Sequence, residues 1–266
     1  MKTYLSFFRM RFLTLIQYRT AALAGIATQF VFGMMYVLVM RAFYGSSDAA
    51  QPMELSQAIT YIWLGQAFLG ALPWSVDREI TDSVLTGKVA YELTRPIDLY
   101  NMWFMRTLAF RTAPTLLRAI PQLILTLFLL PEEYAMTAPG AWNFVAWAAA
   151  FAGAVILSTA ITNFMQAMIM FTVRSEGLMR FLPTFVTFMS GLIIPLKFFP
   201  DWAQNFMRFQ PFAGVMDLPS QLFCGSLNPG ELAWVLPLQL LWTALFVATG
   251  RAFMNRGIRR VAIAGG

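Results

Sequence analysis

Long apolar runs separated by short polar gaps fill the chain from residue 20 onward. Crossing about 30 Å of hydrocarbon takes about 20 predominantly apolar residues. Six segments meet that length, about 20–40, 57–76, 112–130, 142–171, 181–199 and 232–253, and each is predicted to be a membrane-spanning helix. Three other stretches fail the test in different ways. In 2–19, Phe7, Phe8, Phe12, Leu13, Leu15 and Ile16 are mixed with Lys2, Arg9, Arg11 and Arg19. That is the pattern of a helix lying in the membrane interface, and its arginines are too closely spaced for a cleavable signal segment. In 77–98, Ile80, Val84 and Leu85 recur at helical spacing among mixed charges, predicting a short amphipathic helix with a turn at Gly87. The stretch 200–230 is apolar but broken by Pro200, Pro211, Pro219 and Pro229, predicting helices that dip into the membrane from one side.

The gaps alternate in charge. All Lys and Arg except Arg41, Lys197 and Arg208 fall on one side, in one set of alternate gaps or, for Arg118 and Arg251, within the span beside them. They include Arg174, Arg180 and the tail Arg256, Arg259 and Arg260. Seven acids, Asp48, Glu54, Glu132, Glu133, Asp201, Asp217 and Glu231, fall in the other set. The two sets carry net charges of about +10 and about −4, and the basic set is expected on the cytoplasmic side. The resulting expectation is an all-α polytopic membrane protein with six transmembrane helices. It has an N-terminal interfacial helix, both termini in the cytoplasm, and re-entrant outer helices between spans five and six. Trp142 and Trp147 at the start of the fourth span fit an interfacial aromatic belt. Residues 1–266 read as one membrane domain with no separate soluble part.

Composition narrows the chemistry. The 266 residues are 58% hydrophobic and only 12% charged, about half the charge of an average soluble domain. The basic balance lies beside the spans, where anionic headgroups rather than nucleic acid are the counter-charge. The single cysteine, Cys224, allows no internal disulfide, and the chain has no histidine, which removes the usual neutral-pH base and metal ligand. No apolar run carries paired carboxylates or a nucleophile with its base. The nearest approach to a phosphate loop, Thr86-Gly87-Lys88-Val89, lacks the upstream glycine and the following hydroxyl. No catalytic, metal or cofactor residues are therefore expected. Every Asp and Glu sits in a gap or at a span end, which argues against an ion-coupled carrier.

Polar residues inside the spans are few. Arg118, between Pro114 and Pro121 of the third, either snorkels to the headgroups or faces a cavity where it attracts an anionic headgroup or a loop acid. Thr159, Thr162, Asn163 and Gln166 form a polar stripe on the fourth span and Gln66 lies in the second. Such side chains either bond to neighbouring helices or line a substrate path. The pairs Ala148/Ala152 and Ala149/Gly153 suit close helix packing. The amphipathic stretch 77–98 is either a solvated loop or a docking element for a cytoplasmic partner.

That stretch resembles the cytoplasmic loop after the second span of type 2 ATP-binding-cassette (ABC) exporter permeases. There an acidic helix leads to a glycine and then Leu-x-x-Pro, here Glu79, Gly87 and Leu93-Thr94-Arg95-Pro96. Lys88-Val89-Ala90 stands where Thr-Leu-Glu is more usual. Ser190-Gly191-Leu192-Ile193-Ile194-Pro195-Leu196-Lys197-Phe198-Phe199-Pro200-Asp201-Trp202 and Gln210-Pro211-Phe212 are similar to the family's fifth span and outer helices. The tail Arg256-Gly257-Ile258-Arg259-Arg260, ending Gly265-Gly266, is similar to the small viologen-exporter-like branch. The resemblance implies a transporter subunit of the bacterial cytoplasmic (inner) membrane. A separate cytoplasmic ATPase would hold ATP and Mg, and a second permease, a paralogue or a copy of the chain, would complete the transporter. Arg78, Glu79, Asp82, Leu85, Gly87, Glu92, Leu93, Arg95 and Pro96 would dock the ATPase. Gln66, Arg118, Phe185, Phe188 and Met189 would line the path of a drug-like, lipid or other amphiphilic substrate. Pro195, Phe199, Pro200, Trp202, Pro211 and Phe212 would form an outer gate. The competing reading is a non-transporting membrane scaffold or assembly subunit.

Overall fold

The apolar runs fold as helices, and proline and glycine decide where they stop. The computed structural model describes residues 2–46, 51–171 and 176–264; Asp48, Arg174, Gly265 and Gly266 lie outside them. The helices among the described residues are α1 (Lys2–Ile16), α2 (Arg19–Ser46), α3 (Leu55–Ala67), α4 (Arg78–Leu85), α5 (Val89–Leu93) and α6 (Leu99–Ile124). They continue with α7 (Ala141–Ile169), α8 (Glu176–Met189), α9 (Asp201–Phe209), α10 (Asp217–Cys224) and α11 (Leu232–Ala264). No strand occurs among the described residues.

Four helical stretches, Arg19–Ser46, Leu99–Leu129, Ala141–Ile169 and Pro229–Arg259, are long and apolar enough to cross a membrane. The remaining two expected spans are shorter and broken. The run 57–76 forms the 13-residue α3 and a single 3-10 turn, Leu69–Ala71, and Pro73 follows. The run 181–199 forms the 14-residue α8, which stops before Gly191, whose φ is +79°. A backbone broken at membrane depth persists only where other groups satisfy its polar atoms. Arg111 donates to the carbonyls of Gly70 and Ser75, and Ser158 donates to that of Ala71. These bonds serve the irregular segment between α3 and α4.

The third span also needs correcting. It was expected at about 112–130, after Arg106 and Arg111, but the helix starts at Leu99, with Asp98 as its N-cap accepting from the Asn101 N–H at 2.8 Å. Arg111 therefore lies inside the helix and is fully buried, so Arg118 is not the only charge within that span. Both arginines look locally like the polar end of a gap, yet the fold gives Arg106 two carboxylates and Arg111 carbonyl and hydroxyl oxygens.

α7 is the centre of the bundle, packing against α6, α10 and α11, while α1 lies along α6 and α2 packs on α3 and α6. The stripe Thr159, Thr162, Asn163 and Gln166 is buried and does join helices. Thr107 donates to Gln166 at 3.0 Å, Asn163 to the Tyr100 carbonyl at 3.4 Å, and Arg111 to Thr162 at 3.0 Å. Close packing uses a different small-residue face from Ala148 and Ala152, which are exposed. Ala146, Ala150 and Ala154 are buried, and Gly153 admits the Gln239 side chain, whose amide donates to the carbonyls of Ala150 and Gly214.

At the bundle end opposite α4, α9 turns Ala203 and Met207 inward and leaves Trp202, Phe206 and Phe209 exposed, Trp202 by 86%. An apolar stripe facing outward at i, i+4, i+7 suits a helix bedded in lipid at the interface. α10 is buried along its length except Cys224, which is partly covered.

Candidate functional site

The α4–α5 hairpin is built by local signals and then pinned by charge. Asp77 caps α4, accepting the Glu79 N–H at 3.0 Å, and Gly87 (φ +72°) makes the left-handed turn between the two helices. Arg11 of α1 reaches across to bond Asp77 Oδ2 at 3.0 Å and Glu79 Oε1 at 2.6 Å. Arg106 of α6 bonds Glu79 Oε2 and Glu92 Oε1, each at 3.2 Å, and the Trp103 indole N–H donates to Glu92 at 2.8 Å. Burial disfavours the charged form of Arg11. The bond to Glu79 and the charges of Asp77 and Glu79 outweigh it, holding the guanidinium's pKa above its ordinary value.

This lattice sorts the nine residues expected to dock a partner. Arg78, Glu79, Asp82, Leu85, Gly87, Arg95 and Pro96 are exposed, and Leu85 is half uncovered beside the exposed Tyr91. Glu92 and Leu93 are instead turned into the protein. Glu92 holds Arg106, and Leu93 packs with Ile80, Val89, Trp103 and Met254. The hairpin thus presents a rim of mixed charge and a short apolar tip while its inner edge is fastened to α1 and α6.

The residues expected along a path fall in two groups. Gln66 and Arg118 border two adjacent cavities that share Trp74 as a common wall. The first, about 300 Å³, is lined mainly by Phe32 and Tyr36 of α2 with Leu69, Trp74, Leu192 and Ile193, together with the polar Gln29, Gln66 of α3 and Thr187 of α8. The second, about 400 Å³, is lined by Arg111, Arg118, Phe110, Pro114 and Pro183 among others. The Arg118 guanidinium rests on Gly25 of α2, where a Cβ would lie 2.8 Å from its Cζ and Nε. Phe185 and Phe188 lie on the exposed face of α8, with Met189 partly covered. They meet the outer residues directly: Phe185 stands edge-on to Phe212 with ring centroids 5.4 Å apart, and Phe188 edge-on to Phe199 at 5.4 Å.

The expected outer gate is accordingly of two kinds. Pro195 and Phe212 are buried and Phe199 and Pro211 are partly covered, whereas Pro200 and Trp202 are exposed. What locks this end is a group the sequence did not single out. Asp217 Oδ1 accepts from the Leu196 N–H at 3.0 Å and lies 2.8 Å from the Tyr61 hydroxyl, while the Gln221 amide donates to Oδ2 at 2.6 Å. The Tyr61 hydroxyl is also 3.0 Å from the Gly191 carbonyl. Arg111 was likewise missed. Thr107, Arg111, Thr115, Arg118 and Gln122 of α6 and Thr126 of the helical turn that continues it recur at spacings of three and four, a polar stripe visible once the helix is started early enough.

Among the described residues no group of three Cys, Asp or Glu side chains is placed to hold a metal ion. Residues 30–265 match the family model described as an ABC-2 family transporter protein. No curated protein matches the chain.

Proposed function

The chain belongs to the ABC-2 transporter family, and from that premise we propose that it is the transmembrane permease subunit of an ATP-driven exporter. The bundle would cross the bacterial cytoplasmic membrane six times, the shorter α3 and α8 completing the four long spans, with both termini and the α4–α5 hairpin in the cytoplasm. The hairpin would seat in a groove of a separate ATPase, and a second permease would supply the other wall of the path. Substrate, an amphiphile, would move outward from the cytoplasm or inner leaflet.

The observation that carries this reading is the fastening of the hairpin. Its exposed rim is free to meet a partner, while Arg11 and Arg106 tie Asp77, Glu79 and Glu92 to α1 and α6. A push on the rim would therefore be passed to an interfacial helix and a span together. The test is co-purification of the tagged chain with the products of neighbouring genes, extracted in mild detergent and identified by mass spectrometry. An ATPase should copurify with wild type and be lost on Asp82→Arg with Leu85→Glu, two exposed positions whose change leaves the lattice intact. A chain that retains no ATPase in any mild detergent would be a scaffold instead.

A further inference from the structure

We propose that the paired cavities between α2, α3, α6 and α8 bind an anionic amphiphile, its phosphate or carboxylate head at Arg118 and its apolar chain beside Phe32 and Trp74. This rests on the exporter reading and names the class of its substrate.

Charge is the first argument. Arg118 lies 12 residues beyond Arg106 on α6, about 18 Å along the helix axis, and its guanidinium rests against Gly25, six residues or about 9 Å beyond Arg19 on α2. A cation at such depth costs several kcal/mol unless it is paired. Yet Arg118 makes no ion pair among the described residues, and its Nε is buried without an acceptor. Arg111, two turns earlier on the same face, lines the same cavity. Its own bonds go to the neutral oxygens of Gly70, Ser75 and Thr162, and the Asp77 charge acts on it without a direct ion pair. Arg111 therefore adds to the positive field of the cavity and offers Arg118 no counter-charge. The cavity lining contains no acid. An anion is the complement this site lacks, and Arg118 is the group with donors to offer it.

Shape supplies the second argument. The neighbouring cavity of about 300 Å³ is walled mainly by apolar side chains and falls in the range of small-molecule sites. Gln29, 3% exposed, lines it with both amide atoms unpartnered. It stands one turn beyond Gly25, at the step from the arginine cavity to the apolar one, where an ester or hydroxyl near the head of an amphiphile would meet it. A free inorganic anion would leave the apolar cavity empty, and an uncharged chain would leave Arg118 bare. With the α4 end in the cytoplasm, a bound molecule has its head low and its chain high, the orientation of a lipid in the inner leaflet.

The test uses the full chain in dodecyl maltoside, without any ATPase, and dodecyl phosphate as probe, with retained adducts counted by native mass spectrometry. One dodecyl phosphate per chain should be retained. Arg118→Gln should weaken it about tenfold or more, and Arg118→Lys should restore most of the binding. Thr187→Phe, which fills the apolar cavity, should weaken dodecyl phosphate and leave inorganic phosphate unaffected. Equal retention of dodecyltrimethylammonium, or wild-type retention by an Arg118→Gln variant that melts like wild type, would overturn the proposal. Displacement by inorganic phosphate at the probe's own concentration would also overturn it, leaving a simple anion site. If Arg118→Gln fails to fold, the cationic probe, the Thr187→Phe variant and the phosphate competition decide. Because no ATPase is present, loss of probe binding with ATPase still copurifying refutes the amphiphile site alone, and the reverse result refutes the exporter reading alone.

Discussion

Neutralising Asp77 tests whether the hairpin is fastened by charge or merely by packing. Asp77→Asn keeps an oxygen for the N-cap bond to the Glu79 N–H, since Asn caps about as well as Asp. It removes the charge that faces Arg11 and also acts on Arg111, so only a cycle with Arg11 isolates the pair. Asp77 is 2% exposed and Arg11 14%. At about 4 Å between charge centres and an effective dielectric of about 20 the attraction is about 4 kcal/mol. Desolvation of a nearly buried carboxylate takes back part of that, leaving a coupling of about 1.5–3 kcal/mol for a charge-assisted bond. The Arg11–Glu79 contact is shorter, 2.6 Å, but Glu79 is 62% exposed, and exposed pairs contribute at most about 1 kcal/mol. Burial, not distance, should rank the two.

Two double-mutant cycles measure this, Arg11→Ala with Asp77→Asn and Arg11→Ala with Glu79→Gln. Each is read by reversible unfolding as dodecyl sulfate is titrated into dodecyl maltoside. The Asp77 cycle should give the larger coupling and keep it at about 0.5 M salt, where the exposed Glu79 pair is screened. Additivity of the Asp77 cycle within about 0.5 kcal/mol, or a larger Glu79 coupling, would refute the reasoning.

Three further substitutions probe other parts of the fold. Gly33→Ala would place a Cβ 2.4 Å from Trp63 Cζ3, and the ring, fully buried and held by its N–H bond to the Tyr134 carbonyl at 2.8 Å, cannot retreat; a loss of about 1–3 kcal/mol is expected, seen as a lower melting temperature. Gly87→Val strains a left-handed turn by about 1–2 kcal/mol with no steric clash, since nothing lies within 4 Å of its Cβ. It should reduce ATPase retention, and Gly87→Asn should preserve it because Asn tolerates that conformation; equal retention by both would remove the turn from the docking argument. Tyr61→Phe removes the hydroxyl between Asp217 and the Gly191 carbonyl and should cost about 1–3 kcal/mol, whereas an unchanged unfolding midpoint would show that Leu196 and Gln221 suffice to hold Asp217.

The all-helical plan and the hairpin with its glycine turn were legible because they depend on local features, namely runs of apolar side chains, helical spacing and a residue that permits positive φ. The start of α6 was not. Arg106 and Arg111 read as polar ends of a gap, yet Arg106 is answered by Glu79 and Glu92 and Arg111 by backbone oxygens about 40 residues away. No window along the chain contains those partners. The shortness of α3 was half legible, for Gly70 and Pro73 mark a break. That the break survives in a buried setting depends on Arg111 and Ser158 arriving from α6 and α7 to meet its carbonyls. The Tyr61–Asp217 bond, spanning 156 positions, has no local trace at all.

The two arginines of α6 separate structure from function. Arg111 is explained by the fold, because it meets the free carbonyls of Gly70 and Ser75 beyond α3, which would be costly to bury unmet, and its bonds are filled. Arg118 has the same charge and shares the same cavity, but it serves no carbonyl and no acid among the described residues. A side chain that costs several kcal/mol to place and supports nothing around it points to something that enters from outside. If dodecyl phosphate ignores it, the remaining account of Arg118 is a stem lying over Gly25 with its head drawn toward the α4 end. In that case Arg118→Met, which keeps the apolar stem over Gly25, should be at least as stable as wild type and bind every probe equally.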